Sequence, residues 1–231
     1  MNVEYDEDYY RTNGQLGDRP ALGWYTRLAR RHLGSGPYLD FGCGTGHLLR
    51  RLAALAPAAG FEISKFSADR ARRIAPGCDV YTSLDKIPSA AFCGLTAIHV
   101  LEHLDDTTAV AAISSWRRVL RPHGRALVVI PDPGGRARRL AGEAWMGYAD
   151  PTHINLKTHA EWRQFLTVNG MRVIREGSDG LWNVPYRRLP KLVDAAMHAG
   201  PALAQFLAGR IFLPPGSGES AVFVLAADSV D

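Results

Sequence analysis

The strongest constraint on the fold is the stretch Tyr38-Leu39-Asp40-Phe41-Gly42-Cys43-Gly44-Thr45-Gly46, followed by a helical run from His47 to Leu55. It reads as a short apolar strand, a turn carrying glycines at every second position, and a helix. Residues without a Cβ adopt φ > 0 and let a ligand press against the backbone. The unpaired N–H groups that open the next helix then face that ligand. Asp40, at the strand's carboxyl end, is placed to accept hydrogen bonds from a cationic or hydroxyl-bearing ligand and would repel a diphosphate. The spacing G-x-G-x-G also departs from the G-x-G-x-x-G of dinucleotide sites, which argues against a nicotinamide oxidoreductase.

The rest of the chain alternates strand and helix. A helix over Ala21 to Leu33 stops at Gly34, and strands are expected at Ala58 to Ile63, Asp79 to Thr82, Phe92 to Val100, Arg125 to Ile130, Met171 to Glu176 and Ser220 to Ala226. Between them the spacing predicts helices over Lys65 to Ile74 (capped by Ser64), Thr107 to Leu120 and His159 to Asn169. One or two apolar helices are expected over Leu189 to Ala208, interrupted at Gly200-Pro201. Such alternation argues for an α/β, doubly wound parallel sheet with ligands gathered at the carboxyl ends of its strands. Asp40, Glu62, Ser83 and His99 all fall at such ends. Glu62 suits a ribose, whose hydroxyls both donate to a carboxylate, and Ile63 beside it suits an adenine face. A single domain over 1–231 is expected: an N-terminal arm and helix (1–34), a cofactor-binding core (36–130), an active-site loop rich in Pro, Gly and Arg (131–157), and an insertion (180–215) that forms a lid or a homodimer face.

Leu39 to Gly46 resembles the first motif of the class I S-adenosylmethionine-dependent methyltransferases, Leu-Asp-hydrophobic-Gly-Cys-Gly-Thr-Gly after a leucine or valine. The resemblance implies a Rossmann-like, seven-stranded mixed sheet whose last strand is antiparallel and inserts between the fifth and sixth. It implies S-adenosyl-L-methionine as cofactor, cradled by Gly42, Gly44 and Gly46, with Asp40 toward its amino-acid end. It also implies an N-terminal segment closing over the site, through Tyr10 or Arg19. The family's usual Asp after the third strand is missing here, which leaves Ser83 and Leu84 as adenine contacts.

Methyl transfer is an in-line displacement, and a hydroxyl or ammonium nucleophile must also lose a proton. Two clusters offer a base: His99-x-x-Glu102-His103 after the fourth strand, and Tyr148-x-Asp150-Pro151-Thr152-His153-x-Asn155 in the long loop. The candidate catalytic residues are His153, His103 and Glu102, with His99 beside the cofactor's methyl group. The first cluster is similar to the E-x-x-E-H metal site of ubiquinone-type O-methyltransferases and small-RNA 3′-end methyltransferases, but His99 replaces the first acid. A divalent metal is therefore not favoured, and no metal ligand is assigned.

A small-molecule acceptor follows from what is lacking. The net charge is +4, aromatics are not interleaved with the basic groups, and no N-P-P-Y target-base motif occurs, so nucleic acid is not expected as partner. The group Arg136, Arg138 and Arg139 could meet an acidic substrate. Cys43, Cys78 and Cys93 have no zinc-site spacing and fit reduced thiols of a cytoplasmic protein. No apolar run approaches the ~20 residues of a membrane span. The expected reaction is O-methylation of a secondary metabolite or sugar by a histidine base. The alternatives are N-methylation, or a non-catalytic module that only holds the cofactor.

Overall fold

The computed structural model describes residues 6–12, 16–181 and 191–227, the stretch 191–199 by its backbone alone. Seven strands form one sheet: β1 (Tyr38–Phe41), β2 (Ala58–Phe61), β3 (Val80–Tyr81), β4 (Phe92–Ile98), β5 (Leu120–Pro131), β6 (Met171–Ser178) and β7 (Ser220–Ala227), in the order β3-β2-β1-β4-β5-β7-β6. The strands from β3 to β5 pair in parallel, and β7 lies antiparallel between β5 and β6. This is the doubly wound mixed sheet expected from the alternation and from the resemblance.

The described helices are α1 (Glu7–Thr12), α2 (Pro20–His32), α3 (His47–Ala53), α4 (Lys65–Ile74), α5 (Asp106–Val119), α6 (Arg136–Ala141), α7 (Met146–Ala149), α8 (His159–Val168) and α9 (Lys191–Ala208). Their starts follow local chemistry. Pro20 sits at the first position of α2, Ser64 accepts from Ser67 N–H to cap α4, and Asp105 accepts from Thr108 N–H to cap α5. Thr158 and Glu161 form a full capping box at α8.

Alternation along β5 shows why both faces are covered. Ala126, Val128 and Ile130 join Phe41, Phe61, Trp116, Trp162 and Phe223 on one face, whereas Leu127 and Val129 join Trp24, Leu28, Leu52, Val222 and Val224 on the other. A strand buried on both faces is continuously apolar, the signature of the inner strands of a covered sheet. β5 begins five residues earlier than the expected Arg125. Phe92 pairs with Leu120 but Gly94 with Arg125, so an irregularity at Pro122-His123-Gly124 carries the ladder across, with His123 at φ 64°.

Two expectations are corrected. The stretch 131–157 is not a bare loop: α6, a short 3₁₀ turn over Gly142–Ala144 and α7 fold there, with Trp145 buried against Ala137 and Leu181. The helix α9 also runs unbroken through Pro201. Its second half is anchored by buried Gln205, whose side-chain amide donates to Ser178 O and Asp179 O and accepts from Phe212 N–H and Leu213 N–H. Ala202, fully buried, presses so close to Gly180 that a Cβ there would come within 2.5 Å of its own. Tertiary contacts thus override the local cost of a proline. Tyr5, Asn13, Gly14 and the part of the insertion at 182–190 lie outside the described residues.

Candidate active site

The glycine turn is pinned to the end of β2, because Gly42 N–H and Cys43 N–H both donate to Phe61 O. Gly42 and Gly46 are needed for space as well as for their φ of 74° and 90°. A Cβ on Gly42 would stand 2.6 Å from Val100 Cγ2, and one on Gly46 would stand 2.7 Å from the Ala71 Cα of α4. Gly44 instead faces the Tyr10 ring, 3.6 Å from where its Cβ would be.

Two carboxylates flank the turn. The register that sets Asp40 beside Thr96 lets the Thr96 hydroxyl donate to Asp40 Oδ1 at 2.7 Å. Asp40 Oδ2 is buried with no hydrogen-bond partner among the described residues. Burial pushes this carboxyl up to about 7, opposed by the Thr96 hydrogen bond and assisted by the charge of Glu62. Glu62 follows β2, and its two oxygens accept from Gly44 N–H at 2.9 Å and Ser64 N–H at 2.8 Å. Burial raises its pKa despite those hydrogen bonds. It therefore ties the glycine turn to the cap of α4.

Both acids line a cleft that opens to solvent, the concave setting usual for small-ligand sites. Gly42, Gly44, Ile63, His99 and His103 share its wall. So do Tyr9, Tyr10 and Arg19 from the N-terminal arm. Tyr10 is buried beside Phe66, while Ile63 is 63 % exposed at the rim. Ser83 and Leu84 do not line this cleft: Ser83 Oγ bonds Asp85, and Leu84 packs on the core. Gly46 faces α4 rather than the cleft.

At the far end the histidines meet. His99 holds an unusual φ of 55° and its Nδ1 lies 3.0 Å from Glu102 Oε1. Glu102 is fully buried, and its Oε2 has no hydrogen-bond partner among the described residues. Burial works to raise its pKa, but the His99 hydrogen bond and the charges of His99, His103 and His153 outweigh that and lower it. The loop after α7 folds back to meet these groups. Asn155 N–H donates to Glu102 O, and its side chain donates to Leu104 O and Asp106 Oδ1.

This staple brings His153 to His103, ring centroids 4.7 Å apart. His153 sets its Nδ1 2.9 Å from Gly147 O. A carbonyl only accepts, so Nδ1 carries the proton and Nε2 the lone pair. His103 Nδ1 meets Thr152 Oγ1 at 2.8 Å, and that hydroxyl donates to Asp150 Oδ1 at 2.6 Å. His103 is thus the donor to Thr152, and its Nε2 is the basic nitrogen. Burial lowers the His103 pKa against the pull of Glu102 and Asp150, which favours the neutral, proton-accepting ring. Glu102, His103 and His153 each offer a ligand atom within 4.8 Å of the others, a spacing that a cation could bridge.

His103 stands on the cleft wall, with His153 behind it. Tyr9 and the role of Thr152 were not foreseen from sequence. The Asp-Pro-Thr-His run signals a side-chain turn, seen as Thr152 N–H donating to Asp150 Oδ1, but nothing in the sequence says what it faces.

A family model described as a methyltransferase domain matches residues 13–176, well over half of the chain. The chain belongs to the class I S-adenosylmethionine-dependent methyltransferases. Solved structures of low identity share the methyltransferase's fold. One is a SAM-dependent methyltransferase from Archaeoglobus fulgidus (TM-score 0.60, 17% identity, covering 94% of this chain and 99% of that one). Another is a chain of the complex between the Haloferax volcanii Trm112 methyltransferase activator and a methyltransferase (0.67, 16%, 99% and 97%). A third is the CcbJ methyltransferase from Streptomyces caelestis (0.63, 16%, 92% and 92%). No curated protein matches the methyltransferase's sequence. Among the described residues, no helix is long and apolar enough to cross a membrane.

Proposed function

We propose that the enzyme methylates a hydroxyl of a small molecule, a secondary metabolite or a sugar, with His103 as general base. The observation that carries this reading is His103 on the cleft wall with its proton fixed on Nδ1 and its lone pair on Nε2. S-adenosylmethionine, when bound, supplies the electrophilic methyl group. The groups present suit it: an unpartnered, buried Asp40 oxygen for its ammonium end, Glu62 for the ribose hydroxyls, exposed Ile63 for the adenine face, Tyr10 as cover, His99 beside the reacting end, and Gly42 and Gly44 as cradle. With the cofactor bound, His103 Nε2 would take the proton of the acceptor O–H, leaving its oxygen free to receive the methyl group. Glu102, buried beside the ring, stabilises the imidazolium that results.

Replacing a base costs about 10²–10⁴-fold in rate. His103→Gln should therefore lower kcat by that much on a panel of hydroxyl acceptors while calorimetric affinity for S-adenosylhomocysteine stays unchanged. His153→Gln should cost less. Full activity in His103→Gln, or turnover of amine acceptors only, would remove the reading. The lone pairs of Glu102, His103 and His153 support a second reading, in which a divalent cation held there would polarise the acceptor oxygen. It predicts activity abolished by a chelator and restored by added metal.

A further inference from the structure

The group that orients His103 is itself held from a distant part of the chain. Asp150 uses its Oδ1 for the Thr152 hydroxyl and backbone N–H, while its Oδ2 accepts from the Tyr9 hydroxyl of α1 at 2.8 Å, across 141 residues of sequence. Four side chains thus form one directed series: Tyr9 donates to Asp150, Thr152 donates to Asp150, and His103 donates to Thr152.

We infer that Tyr9 is a positioning residue, through which docking of α1 over the cofactor cleft sets the tautomer and direction of the His103 base. The inference rests on the reading of His103 given above. Asp150 Oδ2 lies 3.9 Å from His153 Nε2, a pair that attracts only when that ring carries a proton on both nitrogens. Without the Tyr9 donor, a short side-chain rotation would take Asp150 Oδ1 off Thr152, whose hydroxyl could then donate to His103 Nδ1 and move the lone pair to the wrong nitrogen. The Tyr9 proton holds Oδ2 in place.

The helix α1 is also suited to act conditionally. It spans six residues, far below the roughly 12–15 at which an isolated helix becomes marginal in water. Its Arg11 pairs with Glu7 and Asp8 are exposed and internal to it. Its place therefore depends on tertiary contacts: Tyr10 against Phe66 and Tyr9 on Asp150. Tyr10 lines the cofactor cleft and Tyr9 reaches the base, so one short element senses the first site and arms the second. The groups whose charges act on His103 are Glu102, His153, Asp150 and His99. Among them Asp150 is tied to α1 by the Tyr9 hydrogen bond.

The test is Tyr9→Phe in the full chain, which keeps the ring and removes only the donor. The expected result is a fall in kcat of about 10-fold at saturating acceptor, with acceptor KM and calorimetric S-adenosylhomocysteine affinity each within about twofold of wild type. Imidazole ¹⁵N shifts should show His103 as the Nδ1–H tautomer in wild type and as a mixture in Tyr9→Phe. Thr152→Val should lose a similar factor, and the double variant little more. Wild-type kcat in Tyr9→Phe, multiplicative losses in the double variant, a loss confined to cofactor affinity, or an unchanged tautomer would each overturn the inference. His103→Gln separates the two claims. If it keeps full activity the base reading fails, while the ¹⁵N comparison still decides what Tyr9 does.

Discussion

Asp40 offers the sharpest physical test, because burial makes it costly before any ligand arrives. Its carboxyl sits at about 7 in the fold against 3.8 for the ordinary side chain, a difference of about 3 units. At about 1.36 kcal/mol per unit this amounts to about 4 kcal/mol. The sign follows from linkage. An acid whose folded value lies above its unfolded value costs stability, from nothing below 3.8 to the full amount above about 7. At pH 5 the cost is about 1.6 kcal/mol and at pH 8 about 4 kcal/mol. Asp40→Asn cannot ionise, and its Oδ1 can still accept from Thr96, although its amide must then be buried where Oδ2 stood. Its stability relative to wild type should therefore improve by about 2.5 kcal/mol between pH 5 and pH 8 without ligand. For a chain of this size that is a relative gain of about 5–10 °C in Tm. Urea or thermal denaturation at the two pH values measures it directly. An offset that does not change with pH would refute the reasoning. The same variant should bind S-adenosylmethionine more weakly, since the charge that costs stability is the one offered to the ligand's cationic end. Wild-type binding near pH 7 should release a fraction of a proton, read as a dependence of calorimetric heat on buffer.

Gly46→Ala should cost about 1–3 kcal/mol from its φ alone, with a further penalty as α4 yields to the new methyl group; a denaturation midpoint like wild type would show that the close approach to Ala71 is not needed. Gln205→Ala leaves two amide donors and two carbonyls at the end of β6 without their partner. It should lower stability by about 3 kcal/mol or more without changing cofactor affinity, checked by melting and by calorimetry.

How far the sequence speaks depends on how local each cause is. The glycine turn, the Ser64 cap and the placement of Glu62 after β2 are set within a few residues, and they were legible. The place of β7 was legible only through the resemblance, since nothing local says that it enters between β5 and β6. Pro201 reads as a break because its local cost is plain, whereas the hold of Gln205 on Ser178 and Asp179 is not. The helices within 131–157 hide in a composition of Pro, Gly and Arg, and depend on Trp145 finding Ala137 and Leu181. In the site, Glu102 and His103 announce themselves as neighbours in sequence. The contacts that hold them come instead from Thr152 and Asn155, about fifty residues away, and Thr152 is in turn bonded to Asp150, which Tyr9 reaches across 141 residues.

The position of β7 also governs the order of events as the chain emerges during synthesis. The parallel half, from β3 through β5, can assemble early around the glycine turn. β6 then has nothing to pair with, because among the described strands its neighbour is β7, which follows it in the sequence. Until Ser220 to Ala227 arrives, the nascent chain carries two unpaired edges, one on β5, which is apolar on both faces, and one on β6. Such edges invite pairing between molecules. The strand closes both at once, so this sheet is completed by insertion rather than by growth at a rim.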